Sequence, residues 1–184
     1  MSLKFNLNRG FNINLEGRAV TEIGNDFNQS SFAIKPTDFI GITRPKLLVE
    51  IGDEIKAGSP ILFDKLQEDI MYCSPVSGEV IDVIRGEKRR LEEIRILPDK
   101  KNKYIEHKAF NSSDIKSLSR EKIVKHLSKS GVWPNIIQRP FGLVAETNVQ
   151  PKSIHVSFFD TSPLAPSYEF MYNEELDNIK TGLD

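Results

Sequence analysis

Two stretches, Val49-Glu-Ile-Gly-Asp-Glu-Ile-Lys-Ala-Gly-Ser-Pro-Ile-Leu62 and Ser74-Pro-Val-Ser-Gly-Glu-Val80, carry the pattern from which the rest of the chain is read. Gly52-Asp53 is a turn pair that stops the extended run Leu47-Leu-Val-Glu-Ile51. Glu54-Ile-Lys-Ala57 leads to Gly58, and Pro60-Ile-Leu-Phe63 follows as a strand. Pro75 fixes φ ahead of the return strand, while Gly78 lets two strands approach closely. Working outward, Glu79-Val-Ile-Asp-Val-Ile84 is a strand, Arg85-Gly86 a turn and Arg90 to Leu97 a further strand. In Glu92-Glu-Ile-Arg-Ile96, alternation puts Ile94, Ile96 and Glu92 on one face and Glu93 and Arg95 on the other. Short strands joined by glycine turns at this spacing predict a compact barrel or sandwich.

Beyond this β-rich region the pattern changes to a helix at 119–130. Ser119 is its N-cap, worth about 1 kcal/mol over alanine. Glu121 suits the helix dipole, and Ile123, Val124 and Leu127 form one apolar stripe. Lys125 and Lys129 lie near its end and Gly131 stands at C′. Two prolines and the lone tryptophan order the loop from Val132-Trp133-Pro134 to Gln138-Arg-Pro-Phe-Gly142. Ser153-Ile-His-Val-Ser-Phe-Phe159 reads as a buried strand ended by Asp160-Thr-Ser-Pro163. Tyr172 or Asn173 then caps a helix carrying Leu176, Ile179 and Leu183. Strand, Asp-Thr-Ser loop and helix are how a parallel α/β domain starts. One βα unit cannot bury its own faces, so this one is expected to be the cut-off beginning of a domain, or a tail packed on the first domain or on a partner.

Composition bounds the function. The 184 residues hold 25 Lys+Arg and 26 Asp+Glu, a net charge of −1, without the basic surplus of a nucleic-acid binder. With 39% hydrophobic and 28% charged residues the chain is globular, not wholly disordered. No apolar run approaches the roughly 18–20 residues of a spanning helix. Met1-Ser-Leu-Lys-Phe5 lacks the apolar core of a signal peptide, and the single Cys73 excludes an internal disulfide. A reducing, cytoplasmic-side location is expected.

The Gly-Asp and Ser-Pro blocks resemble those of the biotinyl/lipoyl-type barrel-sandwich hybrid. Carrier members present a lysine at the hairpin tip about seven residues before Ser-Pro. That position is Gln67 here, and Lys65 stands out of register, so no covalent cofactor is expected. A second resemblance spans nearly the whole chain: Arg9-Gly10, Glu16-Gly17, Phe39-Ile-Gly-Ile42, Arg85-Gly86-Glu-Lys-Arg89, Ser130-Gly-Val-Trp133, Arg139-Pro-Phe141 and Phe159-Asp-Thr-Ser-Pro-Leu-Ala165 occur in one order. This set resembles the A subunit of the sodium-translocating NADH:quinone reductase, a bacterial respiratory complex.

The resemblance implies an α+β chain in three parts. Residues 1–110 form a barrel-sandwich hybrid with N-terminal strands, 111–150 a helical connector with the Trp/Arg-Pro-Phe loop, and 151–184 the start of a truncated Rossmann-like domain. It implies a peripheral subunit on the cytoplasmic side of the inner membrane. Its partners are the other subunits of the complex, quinone and, indirectly, the membrane surface, with no nucleic acid. The complex oxidises NADH, reduces quinone and exports sodium. Flavins, the iron–sulfur centre and the sodium path belong mainly to other subunits, so the isolated chain is expected to be inactive. A carrier-type module and a purely structural scaffold stand as alternatives.

Trp133, Arg139, Pro140 and Phe141 are the candidate quinone-region residues, with Phe39 in Lys35-Pro-Thr-Asp-Phe-Ile-Gly41 as a further lining. Aromatic faces stack on a planar ring and arginine donates to its carbonyl oxygens. The competing reading has Trp133 and Phe141 anchoring the helix to the barrel. Asp160 and Thr161 stand where α/β folds bind ligands, or else cap the turn there. His107, His126 and His155 lack metal-ligand spacing, and Cys73 reads as a small buried hydrophobe. Residues 85–103 hold eight basic residues (Arg85, Lys88, Arg89, Arg90, Arg95, Lys100, Lys101, Lys103) against four acidic ones. That strip suits anionic lipid, an acidic partner subunit or plain solvation.

Overall fold

The computed structural model describes residues 10, 16–17, 20–22, 24, 29–160, 162 and 164–183, apart from the side chain of Ser112. It divides into two compact units, Phe27–Lys152 and Met1–Asp26 with Ser153–Asp184. Arg9 and most of residues 1–28, where N-terminal strands are expected, lie outside the described residues.

Strands β1 (Phe32–Ile34), β2 (Pro45–Leu47), β3 (Glu54–Ile55), β4 (Pro60–Asp64), β5 (Gln67–Cys73), β6 (Gly78–Arg85) and β7 (Leu91–Pro98) build the first unit. They form two antiparallel sheets, ordered β1-β7-β6-β3 and β2-β4-β5. Ile34 pairs with Ile94 and Val80 with Ile96, so cross-strand partners stack inward. Val80, Ile94, Ile96, Ile61 and Leu62 are fully buried, each contributing about 1.5–3 kcal/mol relative to exposure. The alternation expected for Glu92 to Ile96 breaks at one point. Ile84 faces Glu93 but Arg85 faces Leu91, a bulge that leaves Leu91 inward and Glu92 exposed.

The Ser-Pro turn is fastened by its own serine. Ser77 Oγ donates to Asp99 Oδ2 at 2.9 Å and accepts from Lys103 N at 2.8 Å, while Ser77 N donates to Asn102 Oδ1 at 3.1 Å. The Ser77 hydroxyl and the Lys103 ammonium hold the Asp99 carboxyl below its ordinary range. Ala57 N donates to Lys103 O and Ile105 N to Ala57 O, both at 2.9 Å, so the 99–105 segment bridges both turn motifs.

The β4–β5 turn is Lys65-Leu66, with Gln67 already in β5 opposite Asp64. Lys65, not Gln67, therefore occupies the hairpin tip, correcting the register expected from spacing. Two register shifts in this hairpin, between Pro60 and Leu62 and between Phe63 and Asp64, displace the count. Asp64 is buried and accepts from Thr43 N, Arg44 N and Leu66 N at 2.7, 3.2 and 3.0 Å, tying the tip to the preceding loop.

A short helix α1 (Ser112–Ile115) precedes α2 (Arg120–Lys129). Ser119 does stand at the N-cap of α2, but its hydroxyl makes no capping bond to a backbone N–H. The Glu121 backbone N–H, with the nearby Ser119 hydroxyl second, holds the Glu121 carboxyl below its ordinary range. Val124 and Leu127 pack on the core, and α2 lies against β5. Gly131 ends the helix at φ 75°. A Cβ there would stand 2.8 Å from Cys73 Cβ and Sγ, so the helix C-terminus rests directly on β5. Residues 111–150 thus pack within the same unit as the sandwich.

Burial pushes the Tyr72 hydroxyl up to about 12, helped by the charge of Asp64, and the Cys73 thiol up to about 11. In the unfolded chain these groups titrate near 10 and 9. The folded state therefore holds protons that the unfolded state releases. Stability is full below about pH 9 and falls as pH rises toward about 12. Denaturant midpoints measured from pH 8 to 12 should show that decline, with Tyr72→Phe flattening its upper part and Cys73→Ser its lower part. Unchanged curves for both variants would refute the assignment.

In the second unit, Ser153 to Phe159 is not a buried strand. Residues 153–160 are exposed, carry no regular structure and pair with no strand among the described residues. A strand needs a neighbour's backbone groups. Here Ser157 Oγ instead exchanges local bonds with Phe159, at 3.3 Å each. The expected C-terminal helix is two: α3 (Tyr168–Tyr172), capped by Ser167 Oγ accepting from Phe170 N at 3.3 Å, and α4 (Leu176–Leu183). Asn173 lies at the C-terminal end of α3 rather than starting the second helix.

Candidate functional site

The Arg-Pro-Phe loop is a hairpin. Strand β8 (Ile137–Gln138) pairs antiparallel with β9 (Leu143–Val144), Ile137 opposite Val144 and Gln138 opposite Leu143. Its tip is Arg139-Pro140-Phe141-Gly142, with a cis bond before Pro140. Gly142 closes it at φ 70° and donates its N–H to Gln138 O at 3.0 Å. At the base, Ala145 N donates to Ile136 O at 2.9 Å. Val144 N donates to Ile40 O at 3.2 Å, which fastens the hairpin to the Phe39–Gly41 loop. A Cβ on Gly41 would lie 3.4 Å from Leu143 Cδ2, so the two loops touch.

The five sequence-predicted site residues divide by burial. Trp133 lies in the turn Trp133–Asn135 that follows α2, is 7% exposed, and donates Nε1–H to Ala145 O at 2.7 Å. Phe39 is half-buried and edge-on to Tyr72, ring centroids 4.7 Å apart. Both belong to the packed support of the hairpin. Arg139, Pro140 and Phe141 are exposed at its tip, Phe141 at 79%. Among the described residues Arg139 has no carboxylate within ion-pair distance. Ile40, Ile137 and Leu143 add exposed apolar surface beside it. Ile40 lies in the Lys35–Gly41 segment expected as a lining, whereas Ile137 and Leu143 were not among the predicted residues. Their signal was present as apolar pairs flanking Arg-Pro-Phe-Gly, the mark of a hairpin with a tight tip.

Chemically this is a rim, with one open aromatic face and one unpaired guanidinium on an apolar base. It fits one side of a planar ring bearing carbonyl acceptors. Lys35, in the same loop as Phe39, is drawn to Glu93 at 3.9 Å. Asp160 Oδ1 accepts from Ser162 N at 2.7 Å and caps a turn there; the Ser162 hydroxyl first, then its backbone N–H, hold the Asp160 carboxyl below its ordinary range. Thr161 lies outside the described residues. His126 on α2 meets His107 and Phe110 edge-on, and no group of three or more potential metal ligands occurs among the described residues.

Residues 5–99 match the NqrA N-terminal barrel-sandwich hybrid domain, and residues 118–184 the NqrA second alpha/beta domain. The chain belongs to the NqrA family. Its α+β class follows from the two domain types. Curated relatives of this family include the A subunit of the Na(+)-translocating NADH-quinone reductase of Marinomonas sp. (strain MWYL1), 33% identical over 97% of this chain and 40% of its own length. The protein of that name from Vibrio atlanticus is 30% identical over the same shares. That of Rhodopirellula baltica is 36% identical over 82% of this chain and 33% of its own length. The chain spans about two fifths of the length of the first two relatives. Among the described residues no helix is long and apolar enough to cross a membrane.

Proposed function

We propose that this NqrA-family chain acts as part of a peripheral subunit, on the cytoplasmic side of the inner membrane, in a complex that couples NADH oxidation and quinone reduction to sodium export. The match of both NqrA domain models in order along the chain carries this reading. The other subunits of that complex are its partners. Its contribution is to the quinone region and not to the redox steps. The one cysteine supports that division: Cys73 packs against Gly131 and its thiol is raised to about 11, the opposite of a thiolate ligand. Arg139 and Phe141 present one side of a headgroup site, held in place by Trp133 and the Phe39 loop.

Phe141→Ala and Arg139→Ala, each introduced into the full-length protein within the assembled complex, should raise the inhibitory concentration of a quinone-site inhibitor about tenfold. NADH oxidation by an artificial acceptor should stay unchanged. Unaltered inhibitor response in both variants would favour a structural scaffold. The isolated chain should not oxidise NADH, and turnover by it would overturn the proposal.

A second reading rests on Lys65. Its exposed position in the turn after Asp64 is where a carrier domain offers an amine for modification. Intact-mass measurement after co-expression with a lipoate or biotin ligase decides it, since an unchanged mass removes the carrier reading.

A further inference from the structure

The basic strip at 85–103 is not one surface. Strand β7 (Leu91–Pro98) separates Arg85, Lys88, Arg89 and Arg90 at one end from Lys100, Lys101 and Lys103 at the other. Eight residues at about 3.3 Å each keep these groups roughly 26 Å apart. Arg95, between them, is paired with Glu93, and Lys103 with Asp99. The four cations of the β6–β7 tip are exposed and make no ion pair among the described residues.

The tip is also held in one shape. Lys88 and Arg89 sit at φ 54° and 62°, left-handed conformations that cost a side-chain-bearing residue free energy. Gly86 N donates to Arg90 O at 2.9 Å and Arg90 N to Glu87 O at 3.1 Å. The Arg85 guanidinium donates to Arg89 O at 3.3 Å. The Glu92 carboxylate fills the space over Gly86 where a Cβ would stand, close to the turn backbone. Behind the tip, β6 and β7 pair over an inner face on which Val80, Leu91, Ile94 and Ile96 are buried. Strained, fastened, unpaired cations at the vertex of a stiff hairpin are arranged for an anionic counterpart.

We propose that the β6–β7 tip is an electrostatic contact point for an anionic lipid surface. A protein-docking patch of ordinary size has an apolar centre, and no large apolar residue from 84 to 92 is exposed. A vertex touching a plane of headgroups brings all its cations within the screening length of about 10 Å at once. Each basic residue near an anionic leaflet contributes about fivefold in binding. The proposal stands on this hairpin alone and is independent of the quinone reading.

Co-sedimentation tests it, using the purified chain with phosphatidylcholine vesicles and with vesicles also containing phosphatidylglycerol, at low and high salt. Binding to the anionic vesicles should exceed that to neutral ones by about tenfold or more and weaken with salt. The double variant Lys88→Glu/Arg89→Glu should lose about twentyfold or more. The control Lys100→Glu/Lys101→Glu, with the same change of net charge, should lose less than about threefold. Equal losses in the two variants, or no preference of the unaltered chain for anionic vesicles, would overturn the proposal. Retention on immobilised polyglutamate without vesicle preference would assign the tip to an acidic protein surface, which also overturns it.

Discussion

Gly78→Ala should lower stability by about 3 kcal/mol or more, a large share of the roughly 5–15 kcal/mol that holds a domain folded. Gly78 starts β6 and pairs with Pro98 of β7 on one side and Ile55 of β3 on the other. A Cβ there would overlap the Leu97 carbonyl oxygen and lie 2.8 Å from its carbon. These are backbone atoms, so relief requires moving a strand and not a side chain. Gly52→Ala is the matched control. It too has a left-handed φ, 96°, but open space around it, so it should cost only about 1–2 kcal/mol. Urea denaturation of the two variants separates close approach from turn conformation, and equal losses would refute the close-approach argument.

Trp133→Ala should cost about 3–5 kcal/mol, the range for emptying a large buried aromatic site. Beyond the cavity, it strips the Ala145 carbonyl of its 2.7 Å partner. Trp133→Phe, which keeps most of the volume and loses the donor, should cost about 1–3 kcal/mol. Phe141→Ala, at a 79% exposed position, should stay within about 0.5 kcal/mol. This contrast matters for function. Altered inhibitor response in Phe141→Ala reports on the rim itself, whereas any effect of Trp133→Ala passes through the hairpin's support. A small stability loss in Trp133→Ala would contradict its place in the core.

The turn chemistry and the strand alternation were legible early. Gly52 and Gly58 take the positive φ values their turns require, Gly78 sits where β6 meets the Leu97 carbonyl, and Pro60 to Asp64, Gly78 to Arg85 and Leu91 to Pro98 are strands as their apolar runs predict. The ordered motifs likewise marked the family ahead of the fold. Less legible was which of the two aromatics at the Arg-Pro-Phe loop is buried. Trp133 and Phe141 look alike as isolated letters. Only the α2 terminus resting on Cys73, and the Ala145 carbonyl within reach of the indole, turn one inward and leave the other at a hairpin tip.

By itself, then, the sequence determined local matters: where the chain turns, which residues alternate, and which family it belongs to. The turns and the alternation depend on φ preferences and on period-two patterning within a few residues, and the family on motifs kept in one order along the chain. The tertiary structure alone decided the bulge that turns Glu92 outward and the place of Lys65 at its tip. It also split the basic strip and left 153–160 without strand partners among the described residues. Each of these depends on a partner distant in sequence, and a strand's register, a side chain's burial or a charge's neighbour exists only once that partner is in place.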